Sequence, residues 1–106
     1  MEAIHTIRLM DPWEERESPE GCIHRRTFNA PTGITADDTL WIVIQSQKYP
    51  ARLSCNGAVL GNVHRQACFE ITALLSNKNK LEMLFPPGDP SPQRGSVYLE
   101  IRCPYK

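Results

Sequence analysis

Apolar residues alternate with polar ones along several short segments of the chain, which is the pattern of half-buried β-strands. Residues 96–102 read S-V-Y-L-E-I-R, so Val97, Leu99 and Ile101 fall on one face and their neighbours on the other. Residues 39–45 read T-L-W-I-V-I-Q, and such a β-branched and aromatic run is typical of a central strand. No segment has the spacing of a long amphipathic helix. The pattern therefore predicts an all-β protein.

Turn residues divide the rest of the chain into further strands. We predict strands at 3–10, 22–29, 52–55, 58–60, 67–71 and 81–85. Asn56-Gly57 lies between two apolar segments and favours the type I′ turn of a hairpin. Acidic residues with Ser18-Pro19 and Gly21 predict a loop over 14–21, and residues 72–76 predict one helical turn. Seven or eight short strands at these intervals predict an antiparallel β-sandwich, with residues 1–106 as a single domain.

Charge and composition narrow the classes of partner. The chain has 106 residues with equal numbers of acidic and basic side chains, so its formal net charge is zero and we expect no nucleic-acid partner. Residues 1–20 hold six acidic residues and two arginines, which we interpret as a solvated acidic loop rather than an interaction tail. The longest apolar run, 40–44, is too short to cross a membrane, and the N-terminal residues lack the segments of a signal peptide. We therefore expect no membrane partner and a cytoplasmic location.

The cysteines suggest neither a disulfide framework nor a zinc ribbon. They are Cys22, Cys55, Cys68 and Cys103. None lies in a C-x-x-C pair, so we expect free thiols that pack as small apolar residues. Cys22 with His24, and His64 with Cys68, would form a zinc site only if the fold joined the two pairs. A Cys–His catalytic dyad through either histidine is a further alternative. We predict no metal and no cofactor.

Five segments, taken in order, carry a resemblance to a known family. They are Arg25-Arg26-Thr27-Phe28, Leu40-Trp41-Ile42-Val43-Ile44, Ser54-Cys55-Asn56-Gly57-Ala58-Val59-Leu60-Gly61, Phe69-Glu70-Ile71-Thr72-Ala73-Leu74-Leu75 and Asn79-Lys80-Leu81-Glu82-Met83. Together they resemble the N-terminal sugar-binding domain of family 2 glycoside hydrolases such as β-galactosidase and β-glucuronidase. The resemblance covers about residues 23–102 and implies a galactose-binding-like jelly roll. In that family the catalytic carboxylates lie in a separate barrel domain, so the resemblance implies a chain that is not an enzyme.

The sequence offers no catalytic motif of its own. Glycoside hydrolysis needs two carboxyl groups that face each other across a cleft. Glu14-Glu15 and Asp37-Asp38 are adjacent pairs, which we interpret as solvated turn residues. The chain has no G-x-S-x-G elbow, no Walker loop and no H-E-x-x-H motif. A calcium site at Asp37 and Asp38 lacks the spacing of an EF-hand, so we do not predict one.

Strand direction predicts where a ligand would bind. Consecutive strands of an antiparallel sandwich alternate in direction, so loops 11–22, 47–50, 61–66 and 86–95 fall at one end. That end gathers the candidate ligand-binding residues Trp13, Tyr49, His64, Arg65, Asp89 and Arg94. An aromatic face beside charged hydrogen-bonding groups suits a sugar ring. The alternative is that Trp13 packs in the core and that the charged residues are only solvated.

These observations favour a non-catalytic carbohydrate-binding-like module with a saccharide as its ligand. A second hypothesis is a protein-interaction or assembly module that keeps the jelly-roll scaffold without sugar binding. It predicts an exposed apolar sheet face, with a protein partner or a homodimer. Gel filtration distinguishes the two hypotheses, because only the second predicts self-association.

Overall fold

The computed structural model describes residues 3–88 and 92–104, and these form two antiparallel β-sheets that enclose one hydrophobic core. The strands are β1 (Ala3–Arg8), β2 (Glu14–Ser18), β3 (Gly21–Asn29), β4 (Thr39–Gln45), β5 (Ala51–Cys55), β6 (Ala58–Val63), β7 (Ala67–Glu70), β8 (Lys78–Phe85) and β9 (Ser96–Cys103). A short 3₁₀ turn, Thr72–Leu74, precedes β8 and confirms the helical turn predicted there. The all-β sandwich is confirmed. Within the described ranges no helix is long and apolar enough to span a membrane.

The two sheets have four and five strands, and the chain passes between them several times. The first sheet has the strand order β1-β9-β4-β7, and the second has the order β2-β3-β8-β5-β6. Several strands that follow each other in sequence, such as β3 and β4 or β4 and β5, therefore lie in different sheets. Their connections cross the ends of the sandwich, and the candidate site lies among those connections.

Alternate residues of the central strands fill the space between the sheets. The buried positions are Leu40, Ile42 and Ile44 of β4, Leu81, Met83 and Phe85 of β8, and Val97, Leu99 and Ile101 of β9. The predicted alternation of residues 96–102 is thus confirmed. Each large apolar side chain buried in this way contributes roughly 1.5–3 kcal/mol relative to exposure. The central strands consequently hold the two sheets together.

The acidic segment is a strand followed by a tight turn, and the loop predicted over 14–21 is wrong. Glu14–Ser18 pairs with Gly21–Arg25, which raises the strand number to nine among the described residues. An edge strand keeps its side chains in water, so charged residues are tolerated there. Gly21 closes the turn with a φ of 138°, and a Cβ at this position would lie 1.9 Å from the Phe85 carbonyl oxygen. Only glycine fits that position.

The hairpin predicted at Asn56-Gly57 is confirmed. Both residues have positive φ angles, 52° and 85°, and Cys55 pairs with Ala58 across the turn. β6 continues to Val63, so the loop predicted over 61–66 is shorter than expected and spans only 64–66.

All four cysteines are free thiols, as the sequence predicted. Cys22, Cys55 and Cys103 are buried, and burial raises the pKa of the thiols of Cys22 and Cys55. Cys68 is exposed on β7, so the prediction that it packs as an apolar residue is wrong. β7 is an edge strand, and its alternation turns Cys68 outward beside Val43 of β4.

Candidate functional site

One end of the sandwich collects the connections 9–13, 46–50 and 64–66 and the described residues 92–95 that lead into β9. The strand registers place them together, because Gln45 pairs with Ser96, Ile44 pairs with Ala67, and Ala51 pairs with Val63. These are the ends of strands from both sheets, so the loops between them share one surface. We call this surface the loop end.

Arg94 is the centre of a polar cluster at the loop end. Its side chain is only 15% exposed, and its guanidinium donates to the Asp11 Oδ1 atom at 2.9 Å and to the Glu15 Oε2 atom at 3.3 Å. The Nη1 atom also lies 2.7 Å from the Nδ1 atom of His24. The guanidinium carbon stands 4.5 Å from the centre of the Trp13 ring, within cation–π distance. One arginine therefore joins four side chains from β2, β3 and the 9–13 connection.

Trp13 is the aromatic residue of this cluster, and it is 9% exposed. Its indole nitrogen donates to the Leu9 carbonyl oxygen at 3.2 Å, and the Arg94 guanidinium covers the ring. The ring belongs to the hydrophobic core, where it packs as the chain crosses from one sheet to the other. The Trp13 ring thus packs against the Arg94 guanidinium and does not present an open face on which a sugar ring would stack.

His24 is buried, at 1% exposure, and its ring packs against Phe85 with centroids 4.8 Å apart. Because arginine can only donate, the Nδ1 atom accepts the Arg94 bond and the proton of the neutral ring lies on Nε2. The Nε2 atom has no hydrogen-bond partner and stands 3.9 Å from the Glu15 Oε1 atom. Burial lowers the pKa of His24, and Arg94 adds to this effect while Glu15 opposes it. His24 is therefore neutral at pH 7 and acts as an acceptor for Arg94.

A second group of loop residues lies beside this cluster and is held by Gln47. The buried Gln47 amide accepts a bond from the Gly95 N–H at 2.6 Å and donates to the Tyr49 carbonyl oxygen at 2.9 Å. The Gln47 N–H donates to the Arg65 carbonyl oxygen at 2.9 Å. The side chain and the backbone N–H of Gln47 thereby connect the 46–50 loop, the 64–66 loop and the residues that lead into β9.

The predicted site residues fall into two neighbouring groups. Trp13 and Arg94 are in direct contact, whereas His64 and Arg65 line a separate shallow groove, and Tyr49 packs against the core. Ser46 lines both grooves. Asp89 lies outside the described residues.

The groove next to Arg94 has a volume of about 350 Å³. Its polar lining includes Arg8, Asp11, Arg94 and Ser46, and Trp13 also lines it. Two guanidinium groups and one exposed carboxylate offer several donors and acceptors to a polar ligand. The fixed position of Arg94 makes this groove the best candidate for hydroxyl recognition.

Comparisons with solved structures agree with the architecture. The chain aligns with an FMN-binding β-glucuronidase from Facaelibacterium prausnitzii L2-6, with a TM-score of 0.75 and 16% identity over 92% of this chain. It also aligns with Bifidobacterium dentium β-glucuronidase complexed with coumarin-3-O-glucuronide, at a TM-score of 0.73 and 11% identity over 92% of this chain. A β-glucuronidase from an uncultured Clostridium species gives a TM-score of 0.68 at 11% identity over 94% of this chain.

This chain shares its fold with one domain of these enzymes. It spans 22%, 30% and 29% of their respective lengths, so the match is to a part of each. No protein-family model and no curated protein sequence matches it. The resemblance to the sandwich domain of family 2 glycoside hydrolases is thus confirmed at the level of the fold.

Sequence reasoning misses three members of the Arg94 cluster, which are Asp11, Glu15 and His24. It places Asp11 and Glu15 in a solvated loop, and it considers His24 only together with cysteines. β2 consists of polar residues with no apolar alternation, so no pattern in the sequence indicates this strand. Nothing in the sequence indicates that Arg94, 70 residues after His24, binds it.

Proposed function

We propose that this chain is a non-catalytic carbohydrate-binding-like module and that its ligand binds in the groove beside Arg94. One observation carries the proposal. Arg94 is largely buried and is held in place by Asp11, Glu15 and His24, so its donors are oriented before a ligand arrives. Preorganised charged groups bind hydroxyls with less loss of conformational freedom than mobile surface side chains do.

The fold supports a binding role rather than catalysis. Three solved enzymes that contain a similar sandwich are β-glucuronidases, and the chain corresponds to under a third of each of them. The carboxylates of Asp11 and Glu15 both accept bonds from Arg94. They therefore serve to orient Arg94 and do not face each other across an empty cleft, as the two acids of a glycosidase must.

The proposal is tested by titrating the ¹⁵N-labelled chain with neutral and uronic mono- and oligosaccharides, with and without Ca²⁺. We expect the indole N–H of Trp13 and the side-chain N–H of Arg94 to shift with one saccharide class. Saccharide at about 50 times its Kd adds roughly 2.3 kcal/mol of stability, so the midpoint of thermal unfolding should rise by about 9 °C.

Asp11→Asn is the informative variant, because Asp11 is exposed and its loss should not disturb the core. It should weaken binding, since it removes a carboxylate of the groove and loosens Arg94. Glu70→Gln, which changes another exposed carboxylate, on β7, is the matched control. Saccharide shifts that map to the opposite end of the sandwich, or no shifts at tens of millimolar saccharide, would rule out this site.

A protein-interaction or assembly module on the same scaffold is the second candidate function. The observation in its favour is on β1, where Ile4 and Ile7 are 52% and 41% exposed on an edge strand. Exposed apolar edge strands are templates for pairing with another chain. Gel filtration tests it, because a self-associating module elutes earlier than a 12.0 kDa monomer does. Elution at the monomer volume at every protein concentration would count against self-association.

A further inference from the structure

The outer edge of β1 is free along the whole strand. β1 is an edge strand of the four-stranded sheet, and no described strand pairs with the side that faces away from β9. The Leu9 N–H donates to the Val97 carbonyl oxygen at 2.9 Å, which makes these two residues a hydrogen-bonded pair. Bonded and non-bonded pairs alternate in an antiparallel ladder, so the backbone N–H and C=O groups of Ile4, Thr6 and Arg8 point away from β9. These backbone groups are open to another strand.

A groove of about 640 Å³ lies beside this edge and is lined by residues of β1 and by residues 26–29 of β3. β2 pairs with β3 only as far as Arg25, so no described strand covers residues 26–29 on that side. Ile7 and Phe28 line the groove from the two sheets. Ile7 pairs with the buried Leu99 and points toward the opposite sheet, yet it is 41% exposed. The groove thus contains apolar surface that an added strand would cover.

The charged residues that line the groove are all basic, namely Arg8, Arg26 and Lys78. Arg8 and Lys78 form no ion pair with any described residue. Arg26 donates only to the carbonyl oxygens of Met10 and Thr27. The groove therefore carries uncompensated positive charge next to apolar surface and free backbone groups.

The carboxylates on the strands next to the groove do not neutralise this charge. Glu100 of β9 binds Arg102 at 2.7 Å, and Glu82 of β8 binds Arg25 at 3.0 Å. β1 itself reads A-I-H-T-I-R and holds no acidic residue. A second copy that paired its own β1 with this edge would therefore bring no carboxylate to the groove. The charge favours a partner of different composition, with acidic side chains.

We propose that the free edge of β1 binds an extended segment of a partner protein in which acidic residues alternate with apolar ones. The segment adds a strand to the four-stranded sheet through the backbone groups of Ile4, Thr6 and Arg8. Its inward side chains are apolar and cover Ile7 and Phe28. Its outward side chains are acidic and lie beside Arg8, which points to the opposite side of the sheet from Ile7. The proposal rests on the second candidate function, an interaction module, and does not depend on saccharide binding.

Fluorescence anisotropy with a labelled octapeptide of alternating Glu and Val tests the charge and the apolar pattern. Two companion peptides keep every Val and replace every Glu by Gln or by Lys. We expect the Glu peptide to bind about tenfold or more tightly than the Gln peptide, the Lys peptide not to bind, and the affinity to fall as salt is added. Arg8→Gln should weaken binding of the Glu peptide about threefold or more. Arg65→Gln, at an exposed position of the loop end, is the matched control and should leave it unchanged.

Thr6→Pro distinguishes strand addition from simple attraction between charges. It removes the outward N–H of Thr6 and spares the bonds between β1 and β9, because proline is tolerated where the N–H of an edge strand faces solvent. Thr6→Ala keeps this N–H and is the matched control. Thr6→Pro should abolish binding of the Glu peptide, and Thr6→Ala should retain it. Thermal unfolding shows whether Thr6→Pro is folded, and Arg8→Gln tests the same edge without altering the backbone.

Three results would overturn the proposal. They are equal affinity for the Glu and Gln peptides, undiminished binding of the Glu peptide by a folded Thr6→Pro chain, and no binding of that peptide at millimolar protein. None of them decides the second candidate function, because gel filtration measures self-association without any peptide. A chain that self-associates and yet does not bind the Glu peptide would contradict this inference alone.

Discussion

The buried amide of Asn79 connects three parts of the sandwich, and its removal should destabilise the fold strongly. The Oδ1 atom accepts bonds from the Ser76 N–H at 2.8 Å and from the Asn56 side chain at 3.0 Å. The Nδ2 atom donates to the Ser76 carbonyl oxygen at 2.9 Å and to the Phe28 carbonyl oxygen at 3.4 Å. The amide thereby connects the start of β8 to the Asn56-Gly57 turn, to the end of β3 and to the connection that precedes β8.

Asn79→Ala removes all these bonds and leaves their partners behind. A typical net contribution is about 1 kcal/mol for each bond, and a buried partner left without a bond costs about 1–3 kcal/mol. The long bond to Phe28 contributes least, so we expect a loss of about 3 kcal/mol in the free energy of unfolding. That is a large share of the roughly 5–15 kcal/mol of a typical domain. The midpoint of thermal unfolding should fall by about 12 °C.

Urea unfolding of the wild type, Asn79→Ala and Asn77→Ala measures this loss. Asn77 lies two residues away, is exposed, and makes no side-chain hydrogen bond with a described residue, so its substitution should change stability by less than about 0.5 kcal/mol. If Asn79→Ala unfolds at the same urea concentration as Asn77→Ala, the hydrogen bonds of the Asn79 amide do not stabilise the fold as reasoned.

Two further predictions concern the residues around Arg94. Burial lowers the pKa of His24, so the unfolded chain binds a proton more readily and stability falls as the pH drops below about 6.5. The loss of unfolding free energy caused by His24→Gln should therefore be smaller at about pH 5 than at about pH 7.5. His64→Gln is the control. A larger loss in acid would contradict the assignment of His24 as a neutral, buried side chain. Gly95→Ala would place a Cβ 2.2 Å from the Gln45 carbonyl oxygen and 2.8 Å from the Gln47 nitrogen, so stability should fall by about 1–3 kcal/mol in thermal unfolding. An unchanged midpoint would mean that this loop is less tightly packed than its geometry indicates.

The sequence by itself determined those features that depend on neighbours along the chain. The alternation of Val97, Leu99 and Ile101 specified which face of β9 is buried, because side chains in a strand point to opposite faces in turn. Asn56-Gly57 specified a hairpin, because both residues tolerate a positive φ angle. Strand parity then predicted that several distant loops meet at one end, which follows from antiparallel direction alone.

Only the tertiary structure decided which side chains meet. Arg94 reaches Asp11, Glu15 and His24 across 83, 79 and 70 residues of chain, and no local pattern encodes such contacts. The strand Glu14–Ser18 was likewise hidden, because an edge strand buries little and so carries no apolar alternation. Trp13 could equally have been an exposed platform or a core residue. The covering guanidinium of Arg94 and the bond to Leu9 make it a core residue, since together they leave the ring little access to water.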